Sequence, residues 1–116
     1  MAMPAALIGA ARQPNEVDLR RITRRLDTRL RYRYVAPKVQ PCAGGYHIVS
    51  PCCSRNIDSG GGVIDIARIE YDETRRRWNL YYKDHASKSW QLFMHTPQLE
   101  RLMDSLNEDP QRLFWQ

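Results

Sequence analysis

Three segments with strand patterning stand in a row past the middle of the chain: VIDIARIEY (Val63–Tyr71), WNLYY (Trp78–Tyr82) and WQLFM (Trp90–Met94). Residues i and i+2 share a face of a strand, so period-two alternation marks one side turned toward a core. Val63–Tyr71 starts with apolar residues on both faces. Trp78, Leu80 and Tyr82 share one face, and Trp90, Leu92 and Met94 repeat that pattern. Six residues, DETRRR, separate the first two segments, and seven, KDHASKS, the second pair. A parallel neighbour needs a crossover of a dozen residues or more, so joints this short force antiparallel pairing. The last two segments are expected to form a hairpin with facing aromatic and aliphatic pairs.

Two further strands are read before these. RLRYRYV, Arg29–Val35, alternates Leu30, Tyr32 and Tyr34 with Arg31 and Arg33, and Pro37 and Pro41 limit its length. Tyr46–Ser50 is a short strand entered from Gly44-Gly45. SRNIDSGGG, Ser54–Gly62, is a loop by composition. A helix precedes the strands: Asn15 can cap it, Asp18 sits where a carboxylate reaches back, and Leu19, Ile22, Leu26 and Leu30 form its apolar stripe. It is expected to end near Thr28. A second helix follows, with Thr96 as cap, Pro97 at its first position, a stripe of Leu99, Leu102, Met103 and Leu106, and Asn107 closing it. Asp109-Pro110 turns the chain, and Leu113-Phe114-Trp115 folds back on the domain.

At 116 residues the chain is one domain by size. Residues 1–13 are read as a flexible tail and 14–116 as a single α+β domain. The domain is an N-terminal helix, a strongly bent antiparallel sheet of about five strands and a C-terminal helix. That order of elements is also found in the small open barrel of the Sm-like fold, although no Sm sequence signature is present.

Charge is the strongest pointer to a partner. Nine basic residues between Arg12 and Lys38 face three acidic ones, whereas the remainder has nine basic and ten acidic residues. The net charge of +5 therefore belongs to one segment. Arg20, Arg21, Arg24 and Arg25 lie opposite the helix's apolar stripe, and Arg29, Arg31 and Arg33 continue the series. Arginine forms paired hydrogen bonds to phosphate and stacks on bases. A nucleic-acid backbone is therefore the expected ligand of Arg20, Arg21, Arg24, Arg25, Arg31 and Arg33. The plainer reading is a solvated helix face balanced by Asp18 and Asp27. Trp78, Tyr82 and Trp90 could form a stacking platform, but a hydrophobic hairpin face explains them better. No apolar run approaches the roughly 20 residues a membrane helix needs.

All three cysteines fall in PCAGGYHIVSPCCS, Pro41–Ser54. Cys42-x4-His47-x4-Cys52 matches the second half of a zinc knuckle, but Val39 stands where its first cysteine belongs. A closed structural zinc site takes four ligands. Cys53 cannot easily substitute, because neighbouring side chains on a strand point to opposite faces, and no spacing brings in His85 or His95. The favoured reading is a set of small thiols without metal, and zinc held by Cys42, His47 and Cys52 or Cys53 is the alternative. An odd cysteine count fits a reducing, cytoplasmic setting better than a disulfide framework. A catalytic thiol lacks a local signature, SGGG lacks the ending of a phosphate loop, and no paired-carboxylate or Ser-His-Asp spacing stands out. Asp65, in an apolar strand, needs a partner such as Arg68. The chain is read as non-enzymatic, with no cofactor.

IARIEY, Trp78-Asn-Leu-Tyr-Tyr, KDHASKSW with Trp90, a leucine-rich helix and NEDPQRLFW together resemble a small bacterial family known only as a domain of unknown function. Leu80, Tyr81, Trp90 and Phe114-Trp115 carry the likeness, over the C-terminal half. The resemblance implies a cytoplasmic bacterial protein and brings no activity, cofactor or catalytic residue. Two functional classes follow: a nucleic-acid-binding module, and a protein-interaction or self-association module using exposed tyrosine, tryptophan and leucine.

Overall fold

A computed structural model describes residues 12–29, 36–51 and 62–115. Helix α1 spans Glu16–Leu26. Strands β1 (Lys38–Cys42), β2 (Gly45–Pro51), β3 (Val63–Asp72), β4 (Arg77–Asp84) and β5 (Ser89–Thr96) follow, and helix α2 covers Leu99–Glu108. The strands form one open antiparallel sheet in the order β1-β2-β3-β4-β5. The α+β class, the flanking helices and the antiparallel pairing are as the patterning predicts. The expected strand at Arg29–Val35 lies largely outside the described residues. Strand β1 is not among the segments the patterning predicts, because Pro37 and Pro41 read as limits to a strand. An edge strand tolerates proline, whose missing N–H no outer neighbour needs.

Helix α1 begins as its sequence dictates. The Asn15 side chain accepts a hydrogen bond from the Asp18 N–H at 2.8 Å. Asp18 does not reach back to the Asn15 N–H. The Tyr46 hydroxyl accepts that hydrogen at 2.8 Å, while the Asp18 carboxylate takes Gln13 Nε2 at 2.8 Å and Asn15 Nδ2 at 3.0 Å. Gln13 is thus tied to the domain, although the sequence places it in the tail. Tyr46 on β2 is fully buried, so this link also fixes where α1 meets the sheet.

Both helices lie on one sheet face, α1 against β1 and α2 against β4 and β5. Ile22 and Leu26 of α1 and Leu99, Leu102, Met103 and Leu106 of α2 pack with Tyr46, Ile48, Ile64, Ile66, Ala67, Ile69, Trp78 and Leu80. Two bulges decide which side chains join that core. Ile48 pairs with Ala67 but Val49 with Asp65, leaving Ile66 as the extra residue of β3. A bulge shifts the alternation by one place. Ile64, Ile66, Ala67 and Ile69 can therefore all be buried, which resolves the two apolar faces read at the start of this segment.

The second bulge corrects the hairpin. Leu80 pairs with Met94 and Tyr81 with Leu92, so Phe93 is extra. Phe93 and Met94 pack on the core, whereas Trp90 and Leu92 stand opposite Lys83 and Tyr81 on the face that no described helix covers. The expected common face of Trp90, Leu92 and Met94 does not form. Trp78 and Tyr82 are turned to the core and Trp90 away from it, so these three make no stacking platform.

Between β1 and β2, Gly44 has φ +78, a region most side chains avoid, and a Cβ on Gly45 would lie 1.9 Å from the Ile69 carbonyl oxygen. Both glycines are required by backbone geometry.

The end of the chain is fixed by one carboxylate. Asp109, in a left-handed conformation, caps α2, a role the sequence suggests for Asn107. Its buried carboxylate accepts the N–H groups of Leu113 at 2.8 Å, Phe114 at 3.2 Å and Trp115 at 2.8 Å. Trp115 Nε1 donates to the Leu106 carbonyl at 3.0 Å, and the Phe114 ring meets Phe93 and Tyr82 edge-on. Asn107 instead donates to the Arg25 carbonyl at 2.8 Å, joining the helices. At the other end of α2 the cap is Gln98, not Thr96. Thr96 closes β5, and its hydroxyl accepts the Gln98 N–H at 3.2 Å.

Candidate nucleic-acid interface

The arginines of α1 divide by environment. Arg20 is exposed and makes one long ion pair with Glu16, at 3.5 Å. Arg21 is held by Asp18 at 2.7 Å and also by Glu100 of α2. Arg24 is exposed and Arg25 half-buried, and among the described residues neither forms an ion pair. Arg29 is buried: its Nη1 donates to the Leu26 carbonyl at 2.8 Å, and its guanidinium lies 5.0 Å from the Trp115 ring centre. Arg29 therefore serves the core, contrary to its place in the series. Arg31 and Arg33 lie outside the described residues.

The electrostatics follow the same division. Burial pushes the Asp18 carboxyl up, but hydrogen bonds from Gln13, Asn15 and Arg21 outweigh it and hold the group below its ordinary value. The hydrogen bond from Arg21 likewise holds Glu100 low. Burial lowers Arg29, with Asp27 opposing. Arg21 is thus committed to docking α1 on α2, while Arg20, Arg24 and Arg25 keep donors for an external anion. A phosphate oxygen accepts charge-assisted bonds of this kind.

On α2 the balance is reversed. Its span carries Arg101 against Glu100, Asp104 and Glu108, whereas α1 carries four arginines against Glu16 and Asp18. The two helices therefore present opposite charge side by side.

The sheet face that no described helix covers holds a polar knot that only cross-strand register reveals. His47 Nε2 meets Asp65 Oδ1 at 2.6 Å, and Lys83 Nζ meets Asp65 Oδ2 at 3.3 Å. Lys83 Nζ lies 4.9 Å from the Trp90 ring centre, and the His47 ring meets the same indole edge-on at 5.6 Å. Asp65 has its partners, though not Arg68, which pairs with Glu70.

Within the described part of the cysteine stretch, Pro41-Cys42 and Gly45–Pro51 are β-structure, as Tyr46–Val49 suggests. Cys42 pairs with Gly45 and His47 with Gln40. Burial raises the Cys42 thiol, with Glu70 adding to the rise and Arg68 opposing it, which keeps the sulfur protonated and weakly reactive. Cys52 and Cys53 lie outside the described residues. Among the described residues no three His, Cys, Asp or Glu side chains are grouped to hold a metal.

The buried Asp109 with Phe114-Trp115 and the aromatic strands match the motifs that carry the resemblance, and the match extends well beyond them. Residues 10–116 fit the family described as Domain of unknown function (DUF3024). The chain belongs to this family. The match takes in α1 and the cysteine stretch as well as the C-terminal half. No curated protein and no solved structure matches the chain. No described helix of this DUF3024 chain is long and apolar enough to cross a membrane.

Proposed function

We propose that this DUF3024 protein is a non-enzymatic binding module whose helix α1 docks a nucleic-acid backbone. The observation that carries the reading is the set of uncommitted guanidinium groups on α1: Arg20 exposed with one long pair, Arg24 exposed and Arg25 unpaired among the described residues. Arg21 supports the interface from behind by holding α1 to α2. Arg31 and Arg33 follow in sequence and extend the basic segment. The acidic outer side of α2 repels a polyanion, so the backbone tracks along α1 and away from its neighbour. We place this work in a bacterial cytoplasm: the family resemblance suggests a bacterial protein, and an odd number of cysteines fits a reducing compartment better than a disulfide framework.

Each phosphate neutralised releases a counterion, so affinity falls steeply as salt rises. The test is a titration of mixed single- and double-stranded oligonucleotides at about 50 mM and about 200 mM salt, a range over which several phosphate contacts change affinity by orders of magnitude. The expected result is binding at the lower concentration and a large loss at the higher. No binding at low salt ends the proposal.

A further inference from the structure

The two edges of the described sheet are built differently. On β1, Lys38 and Pro41 are the kinds of residue that guard an edge, one by charge and hydration, the other by offering no N–H. On β5 the sequence SWQLFMHT contains no Asp, Glu, Lys, Arg or Pro. Among the described residues only β4 pairs with it, so its outer side presents backbone donors and acceptors without a strand to meet them. Leu92, next to Trp90 on the face that no described helix covers, is 52% exposed. An uncharged edge with an exposed leucine is a template for another strand.

We propose that β5 pairs with β5 of a second copy of this chain, antiparallel about a two-fold axis at Gln91, joining two five-stranded sheets into one. The argument for a second copy is self-complementarity. Residues directly opposite in an antiparallel pair share a face, so a two-fold axis in a regular stretch must pass through a residue. β5 is regular against β4 from Ser89 to Leu92, before the Phe93 bulge. An axis through Gln91 sets Trp90 beside Leu92 of the second copy, twice, so the exposed leucine meets the β5 side of a Trp90 whose ring is already held from the inner strands by Lys83 and His47. An axis through Trp90 would set Lys88 against Leu92, a charge on an aliphatic side chain. With no charged residue in the strand, self-pairing meets no like-charge repulsion. The Gln91 amides, facing each other at the axis, can exchange hydrogen bonds. Because α1 packs over β1 at the other edge, the two arginine helices end at the far ends of the joined sheet.

The bulge limits the pairing to a few residues, so the dimer dissociates on dilution. Sedimentation equilibrium up to about 1 mM protein spans the range in which so short an interface shows. The wild type should rise from the mass of one chain toward two. Leu92→Lys should weaken association at least tenfold with unchanged circular dichroism and melting, since the site is exposed. Independently, Gln91→Cys should form a reducible cross-linked dimer on mild oxidation, above the wild-type level and above Ser89→Cys, because only position 91 faces itself. The proposal is overturned by a wild type that stays at single-chain mass, even if an extended peptide binds β5. It is equally overturned by Leu92→Lys associating like the wild type, or by equal cross-linking at positions 89 and 91.

Discussion

Helices α1 and α2 lie side by side on the same sheet face, each anchored by a row of buried aliphatics: Ile22 and Leu26 in one, Leu99, Leu102, Met103 and Leu106 in the other. Their charge differs in sign, four arginines against two carboxylates along α1 and one arginine against three carboxylates along α2. Packing explains the inner stripes and says nothing about the charge. Exposed ion pairs contribute little to stability, so the fold does not account for the opposite charge balance of two helices packed alike, and the polyanion proposed for α1 would. Arg21 is the exception that marks the boundary: it faces α2 and is used up there by Asp18 and Glu100.

The comparison breaks hardest at the helix ends. Helix α2 stops at buried Asp109, which satisfies three backbone N–H groups, whereas α1 stops at exposed Asp27. Removing a buried acceptor costs about 1–3 kcal/mol for each donor left unpaired. Asp109→Ala should therefore lower stability in urea by about 3 kcal/mol or more, and Asp27→Ala by less than about 0.5 kcal/mol. Equal losses would show that the C-terminal segment is not anchored as described.

Equivalent docking is tested next. Ile22→Ala and Leu106→Ala should each cost about 2–4 kcal/mol, the usual range for such truncations in a core. A cost below about 1 kcal/mol for Ile22→Ala alone would mean that α1 is not packed like α2.

A smaller effect is expected where the helices meet. Asp18 and Glu100 are both held below their ordinary values in the fold. Each therefore stabilises the fold above its unfolded-state pKa, and that contribution is lost as pH falls through the folded-state pKa. Stability should decline below about pH 4, where free carboxyls titrate, and Arg21→Gln should flatten that decline. The coupling between Arg21 and Glu100 in a double-mutant cycle should stay under about 1 kcal/mol, since both are partly exposed. Smallest of all, Arg20→Gln and Arg24→Gln should each change stability by less than about 0.5 kcal/mol, which would sharpen the contrast between arginines that hold the fold and arginines that do not.

Much of this was legible in the residues. Helical spacing located Ile22 and Leu26 and the α2 stripe, and short polar joints between alternating segments dictated the antiparallel order. What escaped were features settled by tertiary register. The Phe93 bulge turned Trp90 and Leu92 away from the core, and no local propensity signals it. Pro41 hid β1, because edge position is a property of the whole sheet. Asp109 took the cap expected of Asn107 because the returning Phe114-Trp115 segment needed an acceptor there. At the candidate interface, the sequence placed Arg20, Arg21, Arg24 and Arg25 on one helix side. It did not distinguish Arg21, whose partner Glu100 is 79 residues away, or foresee that Arg29 would lie over Trp115.

The measurement that bears most directly on the account is the salt dependence of oligonucleotide binding in two variants matched for helix layer. In Arg20→Gln/Arg24→Gln/Arg25→Gln, the slope of log affinity against log salt should shrink by about 2–3, one phosphate contact per lost arginine. Arg101→Gln, which removes the single basic residue of α2, should leave that slope as it is in the wild type. Equal slopes in the triple variant and the wild type, or equal losses in the two variants, would contradict the assignment of polyanion binding to α1.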